Sequence, residues 1–152
     1  MEKKNYLAPG AHVIGAVTLG ENVGIWYNAV VRADTNTIFI GDNSNVQDNA
    51  TLHTDANFAV HIGCGVTIGH NAICHGCTIG DNTVIGMGSI ILSGATIGKN
   101  CIVGAGALVT GKMDIPDNSF VLGSPAKIIR ATTKDEIASN RENALHYIAL
   151  IP

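Results

Sequence analysis

Aliphatic residues recur every six positions along most of this chain: Leu19, Ile25 and Val31, then Ile40, Val46 and Leu52, then Ile62, Ile68 and Cys74. The run continues through Ile79, Ile85, Ile91, Ile97, Val103, Val109 and Ile115, and Leu7 and Val13 extend it backwards. A helix repeats about every 3.6 residues, so this period argues against a helical reading of the stretch. It suits a short strand followed by a corner. Four residues after most anchors stands a small residue, such as Ala29, Ala50, Ala72, Ser89, Ala95, Cys101 or Ala107. Each unit therefore turns one wide and one small side chain inward.

Three units make one larger repeat. Glycine follows Leu19, Ile40, Ile62, Ile79 and Ile97, as Gly20, Gly41, Gly63, Gly80 and Gly98, and the regular coils are 18 residues long. Such a chain winds as a triangular prism with its strands stacked parallel at roughly 4.8 Å. The composition agrees: 46% of the residues are hydrophobic but only 5% aromatic, so small aliphatic side chains must fill the core. Three spacings break the rhythm. Val31 to Ile40 has three extra residues, Leu52 to Ile62 has four, and Cys74 to Ile79 is one short. Such departures are where function is sought.

Charge and hydropathy exclude several classes. A net charge of −3 with so much apolar surface excludes disorder, and every apolar stretch is interrupted before it could span a membrane. Nine Lys and Arg against twelve Asp and Glu, with no basic block, argue against a nucleic-acid surface. Met1–Tyr6 is polar and is followed by no long apolar segment, so we expect no export signal. The four cysteines are then expected as reduced thiols in the cytoplasm. After Ile115 the pattern stops. Residues 1–116 are expected to form the prism and 117–152 a connecting loop and a C-terminal helix packed on it. Thr133 and Glu136 have capping-box spacing for that helix, and Ile137, Ala144, Leu145 and Ile148 would form its apolar stripe.

The register sorts side chains into columns. Arg32, His53, His75, Leu92 and Thr110 follow the third anchor of successive coils and point outward. His53 and His75 thus stand one coil apart, where their imidazoles can converge on one ion. His70 falls in another column, with Tyr27, Asp48, Met87 and Ala105, on a different wall. Three-fold assembly would bring His70 of one subunit to His53 and His75 of its neighbour, giving a homotrimer with interfacial His₃ sites. Cys74 and Cys77 have half-site spacing, but Cys74 is an inward anchor and reads as a core residue. Trp26 and Tyr27 are expected outward, in interface packing.

The run from Leu7 to Ile115 resembles the left-handed parallel β-helix of hexapeptide-repeat proteins. Arg32-Ala-Asp34, Asn45-Val-Gln-Asp-Asn49, His53 and Gly69-His70-Asn-Ala-Ile-Cys-His75-Gly-Cys77 resemble the γ-class carbonic anhydrases and their bacterial relatives. The likeness continues into Gly123-Ser-Pro-Ala-Lys127 and the terminal helix. It implies an all-β fold with that hand and His53, His70 and His75 as ligands of Zn²⁺, with Fe²⁺ or Co²⁺ as alternatives. It further implies Gln47 and Asp34 as residues orienting the bound water or bicarbonate, and Arg32 and Asp48 as a bridge between subunits. The substrate pair would be carbon dioxide and bicarbonate. Three neutral nitrogens leave the charge of the ion uncancelled, so a bound water falls to a pKa of about 7 and hydrates carbon dioxide. The best-known γ-class enzymes export the proton through glutamates on an acidic loop after the first histidine. Here Thr54–His61 is short and has no glutamate, leaving Asp55 or His61 as relay groups. Three other activities fit a hexapeptide trimer: acyl transfer from coenzyme A, thioester hydrolysis, or metal binding without turnover.

Overall fold

The structure, a computed structural model, describes residues 4–152. Part of the polar stretch Met1–Tyr6 therefore lies outside the described residues. Eighteen strands and one helix are found among them, and the strands wind as a parallel β-helix with the helix at the C-terminal end. Stacked coils pair in the expected register. Thr78 and Ile79 lie beside Thr96 and Ile97, and Val84 and Ile85 beside Ile102 and Val103. Every anchor from Ile25 to Ile115 is buried, and so are the small partners Ala29, Ala50, Ala72, Ser89, Ala95, Cys101 and Ala107. Leu7, at the open N-terminal end where no coil covers it, is 50% exposed.

The walls group into two sheets of 8 and 10 strands. The 8-stranded sheet is the second wall, carrying Ile25, Val46, Ile68, Ile85 and Val103. The first and third walls are joined because strand Val30–Ile40 runs on through the first irregular spacing. It pairs with Thr51–His53 through its start and with Val60–Ile62 through its end. Corners need left-handed backbone, which asparagine tolerates better than other side chains. Asn22, Asn43, Asn82, Asn100 and Asn118 accordingly hold φ between 53 and 61° at one edge of the prism.

The glycine that marks each coil has a different cause. Gly80 has no positive φ, but a β-carbon there would lie 2.6 Å from the Gly98 carbonyl carbon and 2.7 Å from the Lys99 amide nitrogen. The backbone of the next coil occupies the space a side chain would need. Gly80→Ala should therefore wedge two coils apart and cost about 1–3 kcal/mol, the scale of an overpacked interior. The urea midpoint reads that loss, and an unchanged midpoint would contradict the close approach.

Three expectations need correction. The segment after Ile115 is not a loop: Ser119–Gly123 adds a parallel strand beside Ile102–Val103, and Ala126–Ala131 returns antiparallel to it. The helix stripe is also different. Leu145 is 51% exposed, whereas Asn140 is buried and its amide donates to the carbonyls of Asn82 and Cys101 at 3.1 and 3.2 Å. A helix over a coil corner meets unpaired carbonyls, and a side-chain amide satisfies them where an aliphatic group would strand them. Trp26 is buried rather than displayed, between Tyr6 and Tyr147 at ring-centroid distances of 5.3 and 5.5 Å.

The helix itself, Lys134–Ala149, begins as expected. Thr133 Oγ1 accepts from the Glu136 amide at 3.1 Å, and Glu136 accepts from the Thr133 amide at 2.9 Å. Arg130 grips the same carboxylate in a two-pronged pair at 2.7 and 2.9 Å and, with the Thr133 amide, draws its pKa down to about 2. Among the described residues no helix is long and apolar enough to cross a membrane.

Candidate metal centre

His53 and His75 end two adjacent strands, Thr51–His53 and Ile73–His75, and are direct neighbours in the register. Parallel stacking one coil apart is what places them side by side. Their rings meet edge to face, with His53 Nδ1 3.1 Å from His75 Nε2. Two nitrogens bound to one tetrahedral ion at 2.0–2.1 Å would be roughly 3.3 Å apart. The pair is thus spaced for a shared cation, and its residue types suit one.

The outer nitrogen of each ring is held. His53 Nε2 lies 2.9 Å from Asp34 Oδ1, and His75 Nδ1 lies 2.8 Å from Ser93 Oγ. Asp34 also pairs with Arg32. The His53 hydrogen bond first, and then the Arg32 guanidinium, lower the Asp34 carboxyl to about 2, so it is ionised across the neutral range. Asp34 is therefore placed to fix a histidine, and Arg32 to hold Asp34, within one chain.

His70 follows strand Thr67–Ile68 in the other sheet, and its Nδ1 lies 3.0 Å from Asp48 Oδ2. Asp48 thus does for His70 what Asp34 does for His53. Each of the three histidines has its second nitrogen engaged, the arrangement usual for metal-ligating imidazoles. Among the described residues no group of three or more His, Cys, Asp or Glu from one chain is gathered to hold an ion. His70 stands apart on its own wall, as the columns of the sequence indicate.

Gln47 is buried, and its amide nitrogen donates to Asn45 Oδ1 at 3.1 Å. Asn45 in turn donates to Thr67 Oγ1 at 3.1 Å, and Asn143 of the terminal helix donates to the same oxygen at 2.9 Å. This chain fixes the orientation of Gln47 from two sides. Gln47, His70, Met87, Asn143 and Tyr147 line a cleft of about 480 Å³ between the helix and the second wall. Burial, together with the nearby Asp48 charge, raises the Tyr147 phenol.

Sequence reasoning missed Ser93, Thr67 and Asn143. Ser93 had one visible signal: it is the polar member of a corner column shared with Gly76 and Gly111. His61 lies in strand Val60–Ile62, stacked on Phe39 at 4.9 Å, not in a loop. Cys74 and Cys77 are both buried, and a hydrogen bond between them, with burial, pushes the Cys74 thiol well up. A thiol so placed is a core residue, not a ligand.

The bacterial transferase hexapeptide family (six repeats) matches residues 76–111. A protein of Methanocaldococcus jannaschii named "Probable carbonic anhydrase" is 49% identical over 150 residues, covering 99% of this chain and 94% of that protein. The mitochondrial γ carbonic anhydrase 1 of Arabidopsis thaliana is 42% identical over 153 residues, covering 97% of this chain and 56% of the plant protein. Among solved structures, a hexapeptide transferase family protein from Anaplasma phagocytophilum superposes with a TM-score of 0.86 at 35% identity, covering 96% of this chain and 93% of that one. The chain belongs to the γ-class carbonic anhydrase family of hexapeptide-repeat proteins.

Proposed function

We propose that the protein is a cytoplasmic, metal-dependent carbonic anhydrase, working as a homotrimer with one ion at each subunit interface. The observation that carries the reading is the His53–His75 pair, with nitrogens 3.1 Å apart and outer nitrogens held by Asp34 and Ser93. His70 of the neighbouring subunit supplies the third imidazole. The ion is Zn²⁺, with Fe²⁺ or Co²⁺ suited to the same nitrogen set. When bound, such an ion lowers the pKa of a coordinated water to about 7 and supplies a nucleophile for carbon dioxide at neutral pH.

The protein's part is orientation. Asp34 and Asp48 hold His53 and His70 by their outer nitrogens, and Arg32 keeps Asp34 ionised and in place. The Gln47 amide nitrogen is already committed to Asn45, so its carbonyl oxygen is the end left to accept a hydrogen bond from the reacting oxygen. Asp55 or His61 relays the proton to buffer.

Acyl transfer is the second reading, supported by the match to the hexapeptide transferase structure. Metal content, sedimentation, carbon dioxide hydration and acyl-CoA cleavage, measured on one preparation, separate the two. The anhydrase reading expects a trimer holding about one ion per chain and hydrating carbon dioxide. A metal-free protein that turns over acyl-CoA overturns it, as does a monomer that retains its metal.

A further inference from the structure

We propose that Ser93, backed by Asp55, is a positioning residue that fixes the tautomer of His75 so that its Nε2 lone pair faces the ion. The inference rests on the metal-centre reading above. His75 Nδ1 lies 2.8 Å from Ser93 Oγ. A serine hydroxyl can either donate to or accept from an imidazole, so what lies behind it decides. Behind Ser93 is Asp55, whose carboxyl receives a hydrogen bond from the serine and is held below the usual carboxylate range by it. An ionised carboxylate only accepts, so the hydroxyl hydrogen points to Asp55 and the serine oxygen must accept from His75 Nδ1–H. The lone pair of His75 then sits on Nε2, the nitrogen 3.1 Å from His53 Nδ1. The same logic applies to His53, whose Nε2–H goes to Asp34. Two lone pairs face each other across a gap that a cation fills.

The geometry is built in, not incidental. Asp55 Oδ1 accepts from the amides of Asn57 and Phe58, both at 2.9 Å, which folds the four extra residues of the second irregular spacing into a tight turn. Phe58 of that turn lies across Gly76 and Gly94. A β-carbon on Gly76 would come within 2.7 Å of Ser93 Oγ and 2.9 Å of the Phe58 Cβ. Gly76 thus clears the room through which Ser93 reaches His75. The extra residues after His53 serve the other histidine.

Nitrogen-15 spectra of the histidines in metal-free protein, at a pH where the imidazoles are neutral, and Co²⁺ competition titrations test this. In the wild type, His75 should carry its hydrogen on Nδ1. In Ser93→Ala the tautomers should mix and Co²⁺ affinity should fall about 10–100-fold, the usual loss for an outer partner. Ser93→Thr, which keeps the hydroxyl, should restore both. Unchanged tautomer and affinity in Ser93→Ala overturn the proposal, as does a wild-type His75 protonated on Nε2, a result that needs no variant. A wild type that takes up no Co²⁺ defeats the metal reading instead, and the tautomer alone then decides the role of Ser93.

Discussion

His75→Ala should yield a folded protein with little bound metal and carbon dioxide hydration reduced on the order of 10³-fold or more, as the reacting water returns from a pKa of about 7 towards 15.7. Two imidazoles would remain, His53 and the neighbouring subunit's His70, and catalytic zinc is ordinarily held by three protein ligands. Removing His75 also leaves the His53 Nδ1 without the partner 3.1 Å away and Ser93 without its donor. The fold should survive, because the strand bonds of Ile73–His75 are made by backbone and the side chain is only half-buried. Elemental analysis of the purified variant, alongside stopped-flow hydration, reads both effects. Full metal content in His75→Ala would defeat the site assignment.

The second large effect concerns the ladder, not the site. Ile85 is fully buried, stacked between Ile68 and Val103 in the second wall. Ile85→Ala should cost about 2–5 kcal/mol, since the coils above and below are held by their own backbone bonds and cannot close the void. Against a total of about 5–15 kcal/mol, that is a third or more of the stability. Urea unfolding at one fixed protein concentration measures it, the concentration mattering because assembly contributes to apparent stability. A loss below about 1 kcal/mol would mean that the core rearranges more freely than stacked coils allow.

The winding of the chain was legible because each coil repeats the same steric problem. An aliphatic residue at the wall, a small one before the corner and a glycine where the next backbone presses close all recur at fixed distances. The His53–His75 pair followed from that register, and so did the separation of His70. What the period could not show was anything set by side chains reaching between coils. Asp34 sits in one irregular spacing and Asp55 in the next, and the two reach different histidines through contacts that no column predicts. The strand Ser119–Gly123 was hidden for a related reason. Its neighbours Pro116, Asp117, Asn118 and Pro125 are turn formers, while the pairing that makes it a strand comes from Ile102–Val103 in the coil beside it. Asn140 broke the helix stripe because the carbonyls beneath it are corner groups, invisible in a helical periodicity.

The returning strand Ala126–Ala131 has a bearing on how molecules of this shape avoid one another. A tower of parallel coils ends in a row of open backbone groups, on which a second tower could in principle continue end to end. Here the last strand of the second wall runs the opposite way, with Lys127 and Arg130 along it. A parallel coil from another molecule would meet the wrong hydrogen-bond spacing and two like charges. The hairpin therefore works as a terminus against fibre growth, and it leaves lateral association through the walls as the route to assembly.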